Sequence, residues 1–424
     1  MGTFQVGLLL IGTFALLLAL SVPVSVSIII SSVVTMASTL SLDLGTFVAS
    51  QRMVGGVDSF SLLAVPFYIL CGVLMNTGGI AQKLIDFAKI LVGRIPGGLA
   101  HTNILGNTLF GSLSGSSVAA SVAIGGVLIP MEEKEGYDKK FAAAVNIASA
   151  PTGLIIPPSG ILIIYPVLAG CSVVGMIMSG YIPGLMWALA CMVVAYVIAK
   201  KNHYPTAGKV PASVFFKYFV DAIPSLLLIV IIVGGVMSGI FTATESAAVA
   251  VAYTLFLSIV VYRSIKDACE TTAVIMFLIA GSNVMSFVMS FTGLPSAIGN
   301  ALISVSSNKY VILLIINLVL LVVGCFMDIT PAVLIFTPIF LPVVQSFGMD
   351  PIHFGIMMVM NLGIGNITPP VGSALFSGCS VADMDMEDMI KPILPFYAAI
   401  FVALMLVAYV PWFSMALPTL FGAV

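Results

Sequence analysis

Run after run of about twenty residues in this chain carries almost no charge, which is the length at which an α-helix crosses the hydrocarbon of a bilayer. Inside that medium, backbone polar groups must be satisfied within the protein. The sequence has room for ten or more such runs, which predicts an all-α polytopic membrane protein. Composition agrees: of 424 residues, 60% are hydrophobic and 8% charged, against roughly 25% charged in soluble domains. A net charge of −2 with no basic stripe excludes nucleic acid as a partner and leaves membrane lipid as the solvent. The first basic residue is Arg52, so the start of the chain reads as a span rather than a secretory leader.

Spans are expected at 5–21, 23–41, 58–79, 141–170, 181–199, 219–240, 242–262, 268–291, 353–380 and 393–417, with interfacial helices at 43–56 and 80–94. This reading sorts the basic residues into two sets. Lys83, Lys89, Arg94, Lys134, Lys139, Lys140, Lys200, Lys201, Lys209, Lys217, Arg263, Lys266 and Lys391 fall on one side, Arg52 and Lys309 on the other. Basic loops stay in the cytoplasm, so the larger set is cytoplasmic and both chain ends are periplasmic, around a bacterial inner membrane.

Two apolar stretches refuse to be simple spans. Residues 97–130 lie between Arg94 and the charged run Glu132–Glu133–Lys134–Glu135, so both flanks are cytoplasmic in character. Their middle, Gly111–Ser112–Leu113–Ser114–Gly115–Ser116–Ser117, is polar and glycine-rich. A re-entrant hairpin with its tip there explains both facts, because irregular backbone at membrane depth must be buried in protein or line a cavity. Residues 310–345 behave alike, with a tip at Cys325–Phe326–Met327–Asp328–Ile329–Thr330–Pro331.

The two hairpins are related by a shift of half the chain. Pro130 matches Pro342, Gly136 and Asp138 match Gly348 and Asp350, Pro157–Pro158 match Pro369–Pro370, and Gly160 matches Gly372. Gly170–Cys171–Ser172–Val173 recurs as Gly378–Cys379–Ser380–Val381 after a four-residue length change, and Thr77–Gly78 pairs loosely with Thr292–Gly293. Each half then holds an odd number of spans, so the second half starts on the opposite side. That is an inverted-topology repeat, an arrangement used by secondary transporters with a midplane site. The expected organisation is scaffold over 1–96, a first transport half over 97–180, scaffold over 181–309, a second transport half over 310–390 and a last span over 391–424.

After each hairpin comes a broken helix. The first break runs from Ser149–Ala150–Pro151–Thr152–Gly153 to Pro157–Pro158–Ser159–Gly160, the second from Gly363 to Pro369–Pro370. Adjacent prolines remove donors and clash with the preceding turn, which frees carbonyl oxygens. Such carbonyls, with Ser and Thr hydroxyls and half-helix dipoles, are the hard ligands a small cation such as Na⁺ requires. A plain proline kink would not bring a polar tip with it in both halves.

These features carry a resemblance. Gly55 to Gly79, Gly111 to Pro130, Asn146 to Gly184 and Gly324 to Gly378 make nearly the whole chain similar to the large membrane subunit of tripartite ATP-independent periplasmic (TRAP) transporters, the DctM-like family. The resemblance implies a Na⁺-symporting importer of an acidic solute such as a sialic acid, a C4-dicarboxylate or a sugar acid. It implies a fixed scaffold with an elevator-like transport domain, a small membrane subunit and a periplasmic substrate-binding protein. One Na⁺ site is then expected between Ser112, Ser114 and Ser116 and the break at Gly153 and Pro157. A second is expected between Gly324, Met327, Asp328 and Thr330 and the break at Gly365, Thr368 and Pro369. The solute carboxylate is expected near Ser116, Ser117, Asn361 and Asn366. Two departures stand out: Ala119 and Ala120 replace more polar residues, and no Arg or Lys falls in either tip or break.

Asp328 is the one acid inside a tip, placed to meet an ion or to cap the helix that follows. Glu245 begins a span and reads as a favourable helix-terminus charge. Asn317 reads as an interhelical hydrogen bonder, and Asp383 to Asp388 as a solvated loop. His101, His203 and His353 share no ligand spacing. No Gly-Lys-Ser/Thr closes the glycine-rich tip and no nucleophile–base pair can be assembled, so neither ATP hydrolysis nor enzyme chemistry is expected. A stand-alone carboxylate transporter of related fold is the alternative.

Overall fold

The computed structural model describes residues 3–423 apart from 59–62, 65, 69, 72–79, 207–211, 262–265 and 307. The expected span at 58–79 therefore lies largely outside the described residues. The rest is helical, with no strand among the described residues. Helices α1 (Thr3–Ala19), α2 (Val24–Thr39), α3 (Leu42–Val57) and α4 (Ile80–Val92) open the chain. The first hairpin is α5 (Gly98–Ser114) and α6 (Ser117–Lys134). Its broken helix is α7 (Lys139–Ser149), α8 (Thr152–Ile155) and α9 (Ile161–Ala169). Then follow α10 (Val173–Ser179), α11 (Tyr181–Lys201), α12 (Ala212–Ile229), α13 (Ala243–Val261), α14 (Lys266–Thr292) and α15 (Leu294–Val305). The second hairpin is α16 (Lys309–Phe326) and α17 (Ile329–Gln345), followed by α18 (Pro351–Asn366) and α19 (Ser373–Val381), then α20 (Met386–Tyr409) and α21 (Trp412–Leu420).

Both hairpins return to the face they left. At the first, the Leu99 N–H donates to Tyr137 Oη at 3.4 Å, joining the hairpin's start to the loop after its end. At the second, Lys309 and Tyr310 share one cavity with Phe347 and Gly348. Helix α20 links the two bases and shows that they are opposed. Asp388 in its first turn pairs with Lys140 Nζ at 2.7 Å beside the first hairpin. Tyr409 at its far end donates to the Tyr310 carbonyl at 3.2 Å beside the second. At 1.5 Å per residue those ends are about 30 Å apart, so the hairpins enter from opposite sides.

The repeat is also visible residue by residue. Gly136 and Gly348 both take the left-handed conformation, at φ 87° and 77°. Asp138 and Asp350 both cap the helix that follows, accepting from Lys140 N at 3.0 Å and Ile352 N at 2.8 Å. Pro157–Pro158 and Pro369–Pro370 are both cis. Each hairpin's second arm packs on the other half's last half-helix, α6 on α19 and α17 on α9.

Several expectations are corrected. The four-residue length change after the breaks is absent, since α9 (Ile161–Ala169) and α19 (Ser373–Val381) keep one offset at both ends. Gly170–Val173 leaves one helix for the next while Gly378–Val381 ends α19, so that match is not structural. The final span is not 393–417: α20 starts at Met386 and stops before Pro411, which ends it. The acidic run is accordingly not all loop, since Glu387 and Asp388 occupy the first turn of α20, where negative charge suits the helix dipole. Helix α15 was not foreseen, and it bends 66° from α14 after Gly293. Four helical stretches are individually long and apolar enough to span a membrane among the described residues, five if the bent α14–α15 pair counts as one. Of the other expected spans, 58–79 lies largely outside the described residues, and Gln5–Ala19 and Val24–Thr39 are apolar but shorter than 18 residues as described.

Glu132 departs most from its expected role. Grouped with the charged cytoplasmic run, it is instead 0% exposed, in the last turn of α6 beyond the hairpin's Pro130. Neither carboxylate oxygen has a hydrogen-bond partner among the described residues. Burial pushes its carboxyl well above the usual range; the nearby Asn103 amide offsets part of this, and Glu135 adds to it.

Candidate functional site

The first tip reverses the chain in two residues. Gly115 adopts φ 62°, which glycine reaches without steric cost. Ser116 then caps α6, its hydroxyl accepting from the Ala119 N–H at 3.2 Å. Ser114 Oγ lies 3.4 Å from the carbonyls of Gly111 and Ser116, and Ser112 Oγ donates to Leu109 O at 2.9 Å. The Ser112 and Ser114 hydroxyls spend their protons on backbone carbonyls and keep lone pairs.

The tip meets its break through glycine. A β-carbon on Gly111 would stand 2.8 Å from Gly153 Cα. The second half repeats the crossing: a β-carbon on Gly324 would stand 3.1 Å from Gly365 Cα. Backbone is thus brought against backbone at both expected ion sites. Beside the tip, where a β-carbon on Gly115 would stand 4.0 Å from Ser159 Cα, Ser159 is 1% exposed and its hydroxyl has no partner among the described residues. A buried, unpartnered oxygen costs free energy unless something fills the role, and a hard cation fits it. Ser159 follows the two prolines of the first break, and nothing in the sequence there singles it out as a ligand.

The second tip is Met327–Asp328. The Met327 N–H still donates to Val323 O at 2.9 Å and ends α16. Asp328 holds the N-cap position of α17 without making a side-chain cap. Its Oδ1 instead accepts from Asn366 Nδ2 at 3.1 Å and from Ser373 Oγ at 3.3 Å, so simple capping does not account for it. Thr330 stands half-buried in the first turn of α17. The Cys325 carbonyl accepts from Val371 N and Gly372 N at 3.3 and 3.2 Å, stitching tip to break. Thr368 turns back on its helix, its hydroxyl donating to Ile364 O at 2.6 Å and its N–H to Gly365 O at 2.9 Å. Tyr397 donates to the Ile367 carbonyl, so one freed carbonyl of the second break is already occupied.

Asn366 is where the two halves join. It is 1% exposed; Nδ2 also donates to Ser373 Oγ at 3.0 Å, and Oδ1 accepts from Ala374 N at 2.9 Å and Ser117 Oγ at 3.4 Å. One amide thereby ties the first tip, the second tip and the second half-helix together. Ser373 belongs to this group and was missed, having nothing in the sequence to separate it from an ordinary helix-start serine. Asn361 is set apart from it. Its Nδ2 donates to Asn317 O and Oδ1 at 2.9 and 2.7 Å, between α18 and α16, which makes the pair an interhelical tie. Glu245 forms a capping box, accepting from Thr242 N at 2.8 Å while Glu245 N donates to Thr242 Oγ1 at 3.2 Å.

Comparison with known proteins follows the same lines. The chain is 49% identical to the uncharacterized protein YgiK of Salmonella typhimurium, covering 98% of each chain. It is 39% identical to the sialic acid TRAP transporter large permease protein SiaM of Vibrio cholerae, covering 96% of each. Its fold is shared with the Alcanivorax borkumensis YdaH transporter, at a TM-score of 0.61 and 14% identity over 88% of this chain and 90% of that one. The model of the family described as "Tripartite ATP-independent periplasmic transporter, DctM component" matches residues 11–413. A multi-pass membrane protein with paired hairpins and broken helices, the chain belongs to that DctM family of transporter subunits.

Proposed function

We propose that this protein is the solute-moving subunit of an importer in which Na⁺ is carried with an acidic organic solute. The observation that carries the reading is the Ser117–Asn366–Asp328–Ser373 network, in which both tips meet. Asp328 brings a fixed negative charge to the place where an anionic solute is to be received. Two like charges 4 Å apart at an effective dielectric of 20 repel by about 4 kcal/mol, or about a thousandfold in affinity. A cation beside Asp328 removes that penalty. The solute then binds well only after Na⁺, which is a coupling between two sites in the thermodynamic sense. Ser112, Ser114, Ser159 and the backbone at Gly153 and Pro157 hold a second Na⁺ that fixes the first tip.

With no basic residue in the tips, the carboxylate is received by hydroxyls, amides and backbone N–H groups around Ser116, Ser117 and Asn366. Sialic acid, the solute named for the Vibrio cholerae relative, belongs to this chemical class. The hairpins and broken helices move as one body against the scaffold helices, with a small membrane subunit beside them and a periplasmic binding protein delivering solute. Both chain ends face the periplasm of the inner membrane.

The test is uptake of a panel of acidic solutes into proteoliposomes, with and without Na⁺ and binding protein. Asp328→Ala should cut Na⁺-dependent uptake at least tenfold while folded protein yield falls little. An unchanged Na⁺ dependence in that variant would remove Asp328 from the site. Full uptake without the binding protein would favour a stand-alone transporter.

A further inference from the structure

Arg52 lies far from both tips in sequence and has no part in the network above. With Lys309 it is one of two basic residues that the charge pattern places on the periplasmic side. It opens onto a cavity of about 600 Å³ between α3 and α14, lined by Gln51, Gly55, Asn283, Ser286 and Ser290 among others. Among the described residues, no acidic side chain lines the cavity. The guanidinium carbon sits 4.2 Å from the centre of the Phe287 ring, a cation–π contact that orients the group, and among the described residues no carboxylate pairs with its N–H fork. Asn283 locks the floor, donating to Gly56 O at 3.2 Å and Ile279 O at 3.0 Å. A side chain at Gly55 would meet nothing within 4 Å, so the backbone there is open. Ser286 and Ser290, four residues apart, share one face of α14.

An oriented guanidinium fork with two hydroxyls and the Gln51 amide around it is the donor set for a carboxylate, which it binds in a bidentate manner. The wall of the cavity also touches the moving parts. Ser282, next to Asn283, donates to Leu334 O at 3.1 Å, and Leu334 lies six residues, about 9 Å, along α17 from Asp328.

We propose that the Arg52 cavity is a waiting site on the periplasmic side, where the carboxylate of the incoming solute is held before it reaches the tips. The assignment rests on the reading that the solute is acidic. It supplies the strong cation that the tips lack, and it puts that cation where the carboxylate is released again as the tips take the solute.

The test uses the complete transporter, with small subunit and binding protein, in phosphatidylcholine vesicles. Na⁺-driven uptake of succinate, N-acetylneuraminate and isethionate is measured for wild type, Arg52→Gln, Arg52→Lys and the double variant Ser286→Ala/Ser290→Ala. For an acid that wild type carries, half-saturation should rise about tenfold in Arg52→Gln with maximal rate within twofold. Arg52→Lys should fall between, keeping charge without the fork, and the double-serine variant should shift about threefold. That variant keeps the prediction open to refutation if Arg52 replacements fail to assemble. Unchanged half-saturation in these variants overturns the waiting site and leaves the transport reading standing. No uptake of any acid by wild type overturns the transport reading, and the waiting site with it. A defect seen only when the vesicles contain phosphatidylglycerol assigns the cavity to a lipid phosphate and overturns the solute assignment.

Discussion

Gly153 lies so close to Gly111 that a β-carbon on Gly153 would stand 2.2 Å from both the Cα and the carbonyl carbon of Gly111. Gly365 lies over Gly324 in the same way, at 2.5 Å from the corresponding atoms. Backbone cannot swing aside as a side chain can, so each tip is seated on its break only because both partners are glycine.

Gly153→Ala and Gly365→Ala should therefore each unseat a tip. Overpacking of this kind costs about 1–3 kcal/mol, read as a lower melting temperature in detergent, and Na⁺-dependent uptake should be lost. Gly160→Ala, where a β-carbon meets nothing within 4 Å, should keep both. Equal tolerance at all three positions would mean that the crossings are not needed.

Asn366 and Asn361 should separate by phenotype. Asn366→Ala removes the amide that joins Ser117, Asp328 and Ser373 and should lower uptake at least tenfold. Asn361→Ala breaks only the tie to Asn317 and should cost about 1–3 kcal/mol of stability with the solute half-saturation unchanged.

Ser159→Ala deletes a buried hydroxyl that has no partner among the described residues. Melting temperature without Na⁺ should stay level or rise, because an unsatisfied polar group has been removed. On the proposed Na⁺ reading, added Na⁺ should stabilise wild type, and this variant less. A variant stabilised by Na⁺ as strongly as wild type would exclude this hydroxyl as a ligand.

Glu132 gives the protein a pH dependence. Its carboxyl is raised by burial, so its neutral form suits the folded state. That contribution is complete below the ordinary carboxylate range and is lost as pH climbs through the raised value. Melting temperature should fall with rising pH in wild type and fall less in Glu132→Gln, with the two proteins closest at low pH. Parallel curves would show that Glu132 does not titrate against folding.

Much of this architecture could be read before any coordinates existed, because a bilayer leaves few options. Polar tips inside apolar runs had to be re-entrant, and adjacent prolines had to break helices. The matched Gly136/Gly348 and Asp138/Asp350 turned out to be a matched left-handed turn and a matched cap. What escaped depended on direction rather than residue type. Glu132 points inward from a run whose other charges face water, and nothing in the run distinguishes it. Asn361 and Asn366 share a helix, yet their five-residue spacing turns them toward different partners. The likeness of Gly170–Val173 to Gly378–Val381 misled because small residues recur cheaply in such a composition. Ser373 carries no mark beyond that of a helix-start serine and Ser159 none beyond that of a break residue, since what sets them apart is the neighbours other helices bring.

Helices α6 and α19 come from different halves of the chain, as do α17 and α9, and each pair is packed together. Neither half owns a complete surface to rest on. A protein severed near its midpoint would leave two fragments that must find each other before either tip has a wall behind it. The duplicated segments have become obligate partners, and whatever motion carries cargo across has to take both of them at once.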